Sequence, residues 1–459
     1  MMGRLESTQD QFFYNFCLDD IVPADHLVRR IDAVLDLSWL QGELEPYYSH
    51  TGSPSIDPEL MIRMLIIGYV FAIRSERQLC SEVQVNLAYR WFCRLDVEDP
   101  IPNHSVFSRA RHERFFEADT FRHVFEVVVG ACIGEGLVGG KSFSVDASYI
   151  KADVDQIKRV PGDEPIDWSG AKQASRAVTE YLNALDQEVP DEDKKGKRTK
   201  PPKAISLTDP QATWATKKQK VRPVFVYNAN YLIDNKLGVI VDAEGTRANR
   251  IEENRVCVSM VKRVIRRFSL KPERLAADTA YGSAKTLKAL MDCGIEPHVP
   301  VWDKSTRKDG TFSRADFDYD TDRDLYTCPQ GKTLKTTGKI LSDDTFRYLA
   351  STHDCRPCPL KDRCCPNTPQ RKIPRNIHED ARDYARALAK TKTFKIMSDE
   401  RKKVEMAFAH MKNIFKLDRL RLRGLSGARD EVLLTATAQN LRKLARYVTR
   451  PPPLAPATG

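Results

Sequence analysis

A single acid inside a run of strand-forming residues constrains this chain more than any other feature. The stretch Phe143–Val154, FSVDASYIKADV, follows Gly139-Gly140 and is rich in β-branched, aromatic and alternating residues, so it reads as a β-strand. Asp146 sits in its middle, where a carboxylate is poorly tolerated. Either the strand lies at an end or an edge and Asp146 faces water, or the carboxylate is a metal ligand held on a rigid element.

The residues downstream alternate between the two periodicities. RPVFVYNANYLIDNKLGVIVDAEGT reads as two strands joined through Asp234-Asn235 as a hairpin. NRIEENRVCVSMVKRVIRRF reads as a helix, and ERLAADTAYGS as a short strand ending at a turn. KTLKALMDCG is a helix closed by Gly294, and IEPHVPV another strand. The order is strand, long insertion, strand, strand, helix, strand, helix, strand, which makes the class α/β. The insertion, residues 155–220, contains PDEDKKGKRTKPPK, too charged and proline-rich to pack, and is expected as an exposed insertion or loop. A second insertion spans 302–390. Two basic helices, near 399–416 and 428–447, follow, and the tail 451–459 is expected to be disordered.

Residues 1–138 look helical. Asp57 can cap a helix with Pro58 in its first turn, and Ser75 with Gln78 makes a capping-box pattern before LCSEVQVNLAYRWF. Asn103 or Ser105 would cap a helix with a basic face. Such helices suit a DNA-binding head or a plain helical bundle. The most apolar stretch, Leu60–Ile73, contains Arg63 and is too short to span a bilayer. The start of the chain carries no signal-peptide pattern, so a cytosolic protein is expected, with no membrane partner and with reduced cysteines. The net charge of +10 suits a polyanionic partner. Thirteen Lys or Arg against six Asp or Glu between Asp399 and Arg450 concentrate that charge near the C-terminus.

Asp278, in LAADTAYGS, repeats the puzzle of Asp146: it ends a short apolar strand just before a turn. Ligands of open α/β sheets bind at such strand ends. A third acid would complete a site for Mg²⁺ or Mn²⁺, hard cations that want carboxylate oxygens. Glu405, in RKKVEMAFAHMKNIF, is the candidate, because Arg401, Glu405, Phe408 and Lys412 share one helical face. The plainer alternative is a surface ion pair between Arg401 and Glu405, of about 0.3–0.5 kcal/mol.

These stretches together resemble the catalytic signature of bacterial insertion-sequence transposases of the DDE class, in the IS4/IS5-like grouping and its branch with a cysteine-rich insertion before the catalytic Glu. FSVDASYIKAD is similar to the first-Asp strand, AADTAYGS to the second, and RKKVEMAFAHMK to the Arg, Glu, Lys pattern around the third acid. The Tyr that usually opens that pattern is Ser398 here. YYSHTGSPSIDPELMIRMLIIGYVFAIRSERQL and RLRLRGLSGARDEVLLTATAQNLRKL resemble the two ends of the same proteins. The resemblance implies a ribonuclease-H-like catalytic core, 139–301 with 391–450, behind a helical N-terminal DNA-binding domain. It implies Asp146, Asp278 and Glu405 as catalytic and metal-binding acids, with Arg401, Lys412, Arg419, Arg421 and Arg423 on DNA. It also implies metal-dependent cleavage of double-stranded DNA at element ends, strand transfer into a target, and a homodimer or larger assembly at the nucleoid. A nuclease of the same fold that cuts without joining, or a catalytically silent DNA-binding derivative, are the alternatives.

Five cysteines cluster in the second insertion, in YTCPQGKTL and HDCRPCPLKDRCCP. Cys328, Cys355, Cys358 and Cys364 would supply four thiolates to a structural zinc ion, with Cys365 the spare. The alternative is a set of free thiols on a loop. The six scattered cysteines read as small core residues.

Overall fold

The computed structural model describes residues 17–49, 51, 55–168, 175–187, 201–216, 222–301, 310–341 and 344–448. The charged run up to Lys200 and the tail from residue 451 lie outside these residues. The chain forms two compact units. One takes in the described residues up to Val138, with Ile150–Asp153 and those from Ala407 onward. The other takes in Gly139–Tyr149 and Val154–Met406.

The first unit is helical, and its caps follow the sequence. Asp57 accepts a hydrogen bond from the Glu59 amide and Pro58 occupies the first turn of α1 (Pro58–Val70), where the missing N–H costs nothing. Ser75 caps α2 (Glu76–Val85) through the Gln78 amide. The apolar run beyond it does not continue as one helix. Asn86 takes an extended conformation and accepts from the Tyr89 amide, so a separate helix, Leu87–Phe92, begins there. A short polar side chain that can bond the backbone locally competes with helix continuation. Asn103 caps α3 (His104–His112) through the Ser105 amide, and α4 (Thr120–Gly134) completes the N-terminal set.

The second unit is built on a sheet of five principal strands: β1 (Ser142–Lys151), β2 (Val224–Asp234), β3 (Ile240–Arg247), β4 (Arg274–Ala276) and β5 (Glu296–His298). Their order is β3-β2-β1-β4-β5, with a short strand, Thr213–Ala215, also paired to β2. β2 and β3 form the antiparallel hairpin read from the sequence, while β1, β4 and β5 run parallel. Ten of the eleven residues of β2 are buried, as a central strand covered on both faces requires. Helix α5 (Arg250–Phe268) connects β3 to β4 and lays Cys257, Met260, Val261 and Val264 inward. Helix α6 (Ala284–Asp292) connects β4 to β5. It ends at Gly294, whose φ of +70° lets the Gly294 and Ile295 amides return to the Met291 and Leu290 carbonyls. Within residues 155–220 the described part includes a helix, Arg176–Gln187.

Next comes an antiparallel sheet of β6 (Asp318–Asp320), β7 (Leu325–Thr327), β8 (Thr333–Thr336), β9 (Thr345–Leu349) and β10 (Lys372–Asn376), ordered β10-β9-β8-β7-β6. It has its own small core of Phe317, Tyr326, Leu334, Tyr348, Ala350 and Ile373. Helices α7 (Glu379–Leu388), α8 (Lys392–Glu400) and α9 (Lys402–Asn413) follow. Arg401 ends α8, so the basic segment begins as two helices meeting at that residue.

The last helix, α10 (Gly424–Val448), belongs to the first unit and packs against α1, α4 and the short helix Leu27–Asp32. Sixteen of its residues are buried, including two threonines. The Thr435 and Thr437 hydroxyls donate to the Glu431 and Leu433 carbonyls, one turn back in the helix, which satisfies a polar group that burial would otherwise penalise.

Arg63, the charge that interrupts the apolar stretch, is buried in α1. It pairs with Asp32 and Glu59, each at 2.7 Å, and donates to the Phe92 carbonyl at 3.1 Å. Arg63→Met is expected to destabilise the first unit by on the order of 2 kcal/mol, because Glu59 and the Phe92 carbonyl lose their buried donor, while Asp32 keeps Arg94 at 3.1 Å. Urea unfolding of the two proteins measures this; an unchanged midpoint would mean the pair contributes nothing net.

Candidate active site

Parallel pairing fixes the first two acids. Ser144 of β1 is in register with Ala276 of β4. Two residues further along each chain stand Asp146 and Asp278. β1 continues through Asp146, whereas β4 has stopped and Asp278 caps a 3₁₀ turn, Thr279–Tyr281, accepting from the Ala280 amide at 2.8 Å. Asp146 is neither at an edge nor freely solvated: its side chain is 19% exposed, and β1 lies between β2 and β4.

A cavity of about 260 Å³ opens over these strand ends. Asp146, Tyr149, Glu253, Asp278 and Tyr281 line it. Burial pushes the Asp146 carboxyl up to about 6. The Ala147 amide, bonded to Asp146 at 2.8 Å, and Arg401 oppose this, while the charges of Asp278 and Glu405 reinforce it.

Glu405 does not line that cavity. It is tied to Asp146 through Arg401, whose guanidinium lies 3.4 Å from the Asp146 carboxylate and 2.9 Å from that of Glu405. The surface ion pair expected as the plain alternative is therefore present, and the same arginine also reaches the strand acid. Glu405 is half-exposed, at 53%, so its second carboxylate oxygen remains accessible.

Glu253 was not singled out in the sequence. Asn249 caps α5 and places Glu253 in its first turn. There the carboxylate accepts from the Asn228 side chain at 2.6 Å. Burial raises its pKa, opposed by Asn228 and reinforced by Asp278. The signal was available: Glu253 precedes Cys257 by four residues, so it lies on the buried stripe of α5, where an acid needs a reason.

The donors have the chemistry of a hard-cation site, since carboxylate oxygens dominate and their mutual repulsion calls for positive charge. The buried Tyr281 hydroxyl, which has no hydrogen-bond partner among the described residues, would be served by a hydrated ion nearby. As the side chains lie, no group of three His, Cys, Asp or Glu among the described residues stands close enough to hold a metal.

Of the expected DNA-contacting residues, Arg401 adjoins the acids and Lys412 is half-buried on α9. Arg419, Arg421 and Arg423 lie on the loop between α9 and α10, exposed, rather than on a helix. Cys328, Cys355, Cys358, Cys364 and Cys365 all line one cavity of about 210 Å³. Cys328 opens a tight turn in which the Gly331 amide bonds its carbonyl and the Lys332 amide points at its sulfur at 3.4 Å. Burial pushes the Cys364 thiol up to about 11, with Cys365 reinforcing it. None of the five takes part in a disulfide.

Two family models match the sequence: a transposase domain (DUF772) over residues 16–113 and a transposase DDE domain over residues 327–445. The second spans the cysteine cluster and Glu405 but begins after both aspartates. Both models describe transposase domains, the second of the DDE type, and each covers less than half of the chain. No curated protein matches it. Among solved structures it is similar to the piggyBac transposase in a synaptic complex with hairpin DNA, at 10% identity over 93% of this chain and 82% of that one, with a TM-score of 0.31. It is also similar to the Mos1 transposase in a paired-end complex with the left transposon end, at 10% identity over 55% and 60% of the two chains, with a TM-score of 0.17. Scores this low carry no functional weight. Among the described residues no helix is long and apolar enough to cross a membrane.

The raised Asp146 pKa sets a stability trend. A carboxyl that titrates near 6 when folded and near 3.9 when unfolded favours the folded state below pH 4. That advantage is lost as pH rises to 6, by on the order of 3 kcal/mol. Asp146→Asn should therefore gain stability over the parent across this window in metal-free buffer, seen as a melting-temperature difference that grows from pH 4 to pH 6. A pH-independent difference would remove the buried, repelled carboxylate.

Proposed function

We propose that this chain is a DDE transposase that cleaves DNA at insertion-sequence ends and transfers the freed strand into target DNA, with Asp146, Asp278 and Glu405 as its catalytic carboxylates. The observation that carries this reading is the position of Asp146. It shares one cavity with Asp278 and one guanidinium with Glu405, although more than a hundred residues separate each acid from the next. The strand order β3-β2-β1-β4-β5, with only the last three parallel to one another in the pairings above, supports a ribonuclease-H-like core formed by 139–301 and 391–450. Residues 1–138 then form the DNA-binding head and 302–390 the insertion typical of the cysteine-rich branch.

Mg²⁺ or Mn²⁺ would be held by Asp146, Asp278 and Glu405, with Glu253 beside them. Such ions, when bound, activate an attacking oxygen and stabilise a leaving one. The chain's own part is to fix the carboxylates on a strand, a strand end and a helix, which gives the rigidity a catalytic constellation needs. Arg401 balances the Asp146 and Glu405 charges and is placed to meet a phosphate once a cation takes over that balance. Two DNA ends must be held together for transfer, so the working form is a homodimer or larger assembly on DNA, at the nucleoid.

Incubation with duplex DNA carrying the element ends and Mg²⁺ or Mn²⁺, scoring cleavage and joining separately, tests this. Asp146→Asn, Asp278→Asn and Glu405→Gln should each abolish both products while DNA affinity stays within a few-fold. Cleavage without joining would make the enzyme a nuclease, and binding without cleavage a silent derivative. Full cleavage by Asp146→Asn would sink the assignment of the site.

The shared cavity of the insertion cysteines supports one zinc ion per chain on Cys328, Cys355, Cys358 and Cys364. Elemental analysis should find about one equivalent in the parent and little after Cys355→Ser with Cys358→Ser. Metal-free parent protein with the insertion still folded would leave these residues as ordinary thiols.

A further inference from the structure

The helical unit contains a buried ion pair whose hydrogen bonds converge on one exposed loop. Arg74 pairs with Glu431 of α10, and both side chains are buried, at 7% and 1% exposure. Apart from the Arg74 Nε, which has no partner among the described residues, the other groups of the pair bond to backbone between residues 416 and 422. Arg74 donates to the Lys416 carbonyl at 2.7 Å and to the Arg419 carbonyl. The other Glu431 oxygen accepts from the Arg421 and Leu422 amides at 2.6 and 2.7 Å. Below this loop Leu417 and Leu420 are buried. Above it Lys416, Arg419, Arg421 and Arg423 are exposed. Lys151, also exposed, joins the same edge: it bridges Arg419 and exchanges backbone bonds with Asp418 and Leu420.

We infer that the Arg74–Glu431 pair is a latch that presets a phosphate-binding edge of Lys151, Lys416, Arg419, Arg421 and Arg423 for the backbone of duplex DNA. This rests on the transposase reading and adds to it two positioning residues, Arg74 and Glu431, and two new cationic contacts, Lys151 and Lys416. A buried ion pair is weak as a source of net stability, because desolvation offsets its attraction. Its use here is geometric. Four hydrogen bonds fix the carbonyls and amides of a loop that lacks regular structure, so the cations above it need not be ordered when DNA arrives. Asp153 tunes the edge: it takes Arg419 at 3.1 Å and Arg423 at 3.1 Å, and its carbonyl accepts from Arg423 at 2.9 Å. These pairs are exposed and weak, so DNA phosphates replace the carboxylate readily, and Asp153 lowers the affinity of the edge for any polyanion until they do.

The test is equilibrium binding of the full chain to duplex DNA across a range of salt. Arg74→Met with Glu431→Leu replaces the pair by apolar side chains and frees the loop. The salt slope should shrink by about 2–3, since each lost phosphate contact removes about 0.9, and affinity at low salt should fall at least tenfold. Amide exchange at Arg421 and Leu422 should accelerate. Adding Arg421→Ala and Arg423→Ala should cost much in the parent and little in the latch variant, a non-additivity expected of residues acting together. An unchanged slope, or full additivity, would make the pair structural only. Should the latch variant not fold, Asp153→Asn decides: it should raise affinity and steepen the slope by about 1, and no change in either overturns the proposal. A parent that binds no duplex DNA would overturn the transposase reading itself, whereas a parent that binds DNA but is indifferent to Arg421→Ala and Arg423→Ala would overturn the edge alone.

Discussion

The parallel pairing of β1 with β4 is the constraint on which the rest of the site depends. It sets two carboxylates side by side over the ends of neighbouring strands, and like charges at such range raise each other's energy. The chain answers with a cation, Arg401, and with the helix that carries it. Asp146 draws that guanidinium inward, and Glu405, four residues along, comes with it. Helix α9 is held by its buried face of Val404, Ala407, Phe408 and Met411, and the ion pairs of Arg401 link half-exposed Glu405 to Asp146. Arg401 supplies a positive charge of fixed position at this place, and a hard cation bound there would supply another while also offering open coordination positions.

Much of this was legible from residues alone. β1, the hairpin at Asp234-Asn235, α5 and the Gly294 helix stop were readable because each depends on local periodicity or on one turn residue. Asp146 and Asp278 stood out because acids in apolar strands are rare. What escaped has a common cause. Asn86 ends a helix by a side-chain bond that competes with an otherwise continuous apolar pattern. Glu253 stands out only through what faces it, Asn228 on one side and the carboxylates Asp146 and Asp278 on the other. Arg74 looks like an ordinary end-of-helix cation, and its partner lies far along the chain in a helix with its own good pattern. Local pattern cannot reveal pairs whose meaning is long-range.

The cysteine-bearing sheet shows another division of labour. Its core includes Phe317 together with Tyr326 and Tyr348, the two tyrosines packed edge to face with centroids 5.1 Å apart. Their hydroxyls and rings are tied to polar partners, Tyr348 to Asp324 and Tyr326 to Arg375. A cluster of six buried residues is small for a stable fold. A ligand that cross-links the cysteine turn to the segment after β9 would supply what such a core lacks, as metals do in other small units.

The path of α10 has a consequence for how the protein is made. Its apolar face completes the core of α1 and α4, yet those helices leave the ribosome some three hundred residues earlier. At roughly 5–20 residues per second the N-terminal helices wait tens of seconds with that face exposed, a window in which chaperones or nearby apolar surfaces compete for it. The basic loop and Glu431 arrive with the same late segment, so Arg74 has no counter-ion during that interval. The helical unit therefore closes only after α10 has been made, and until then its apolar face is open to aggregation.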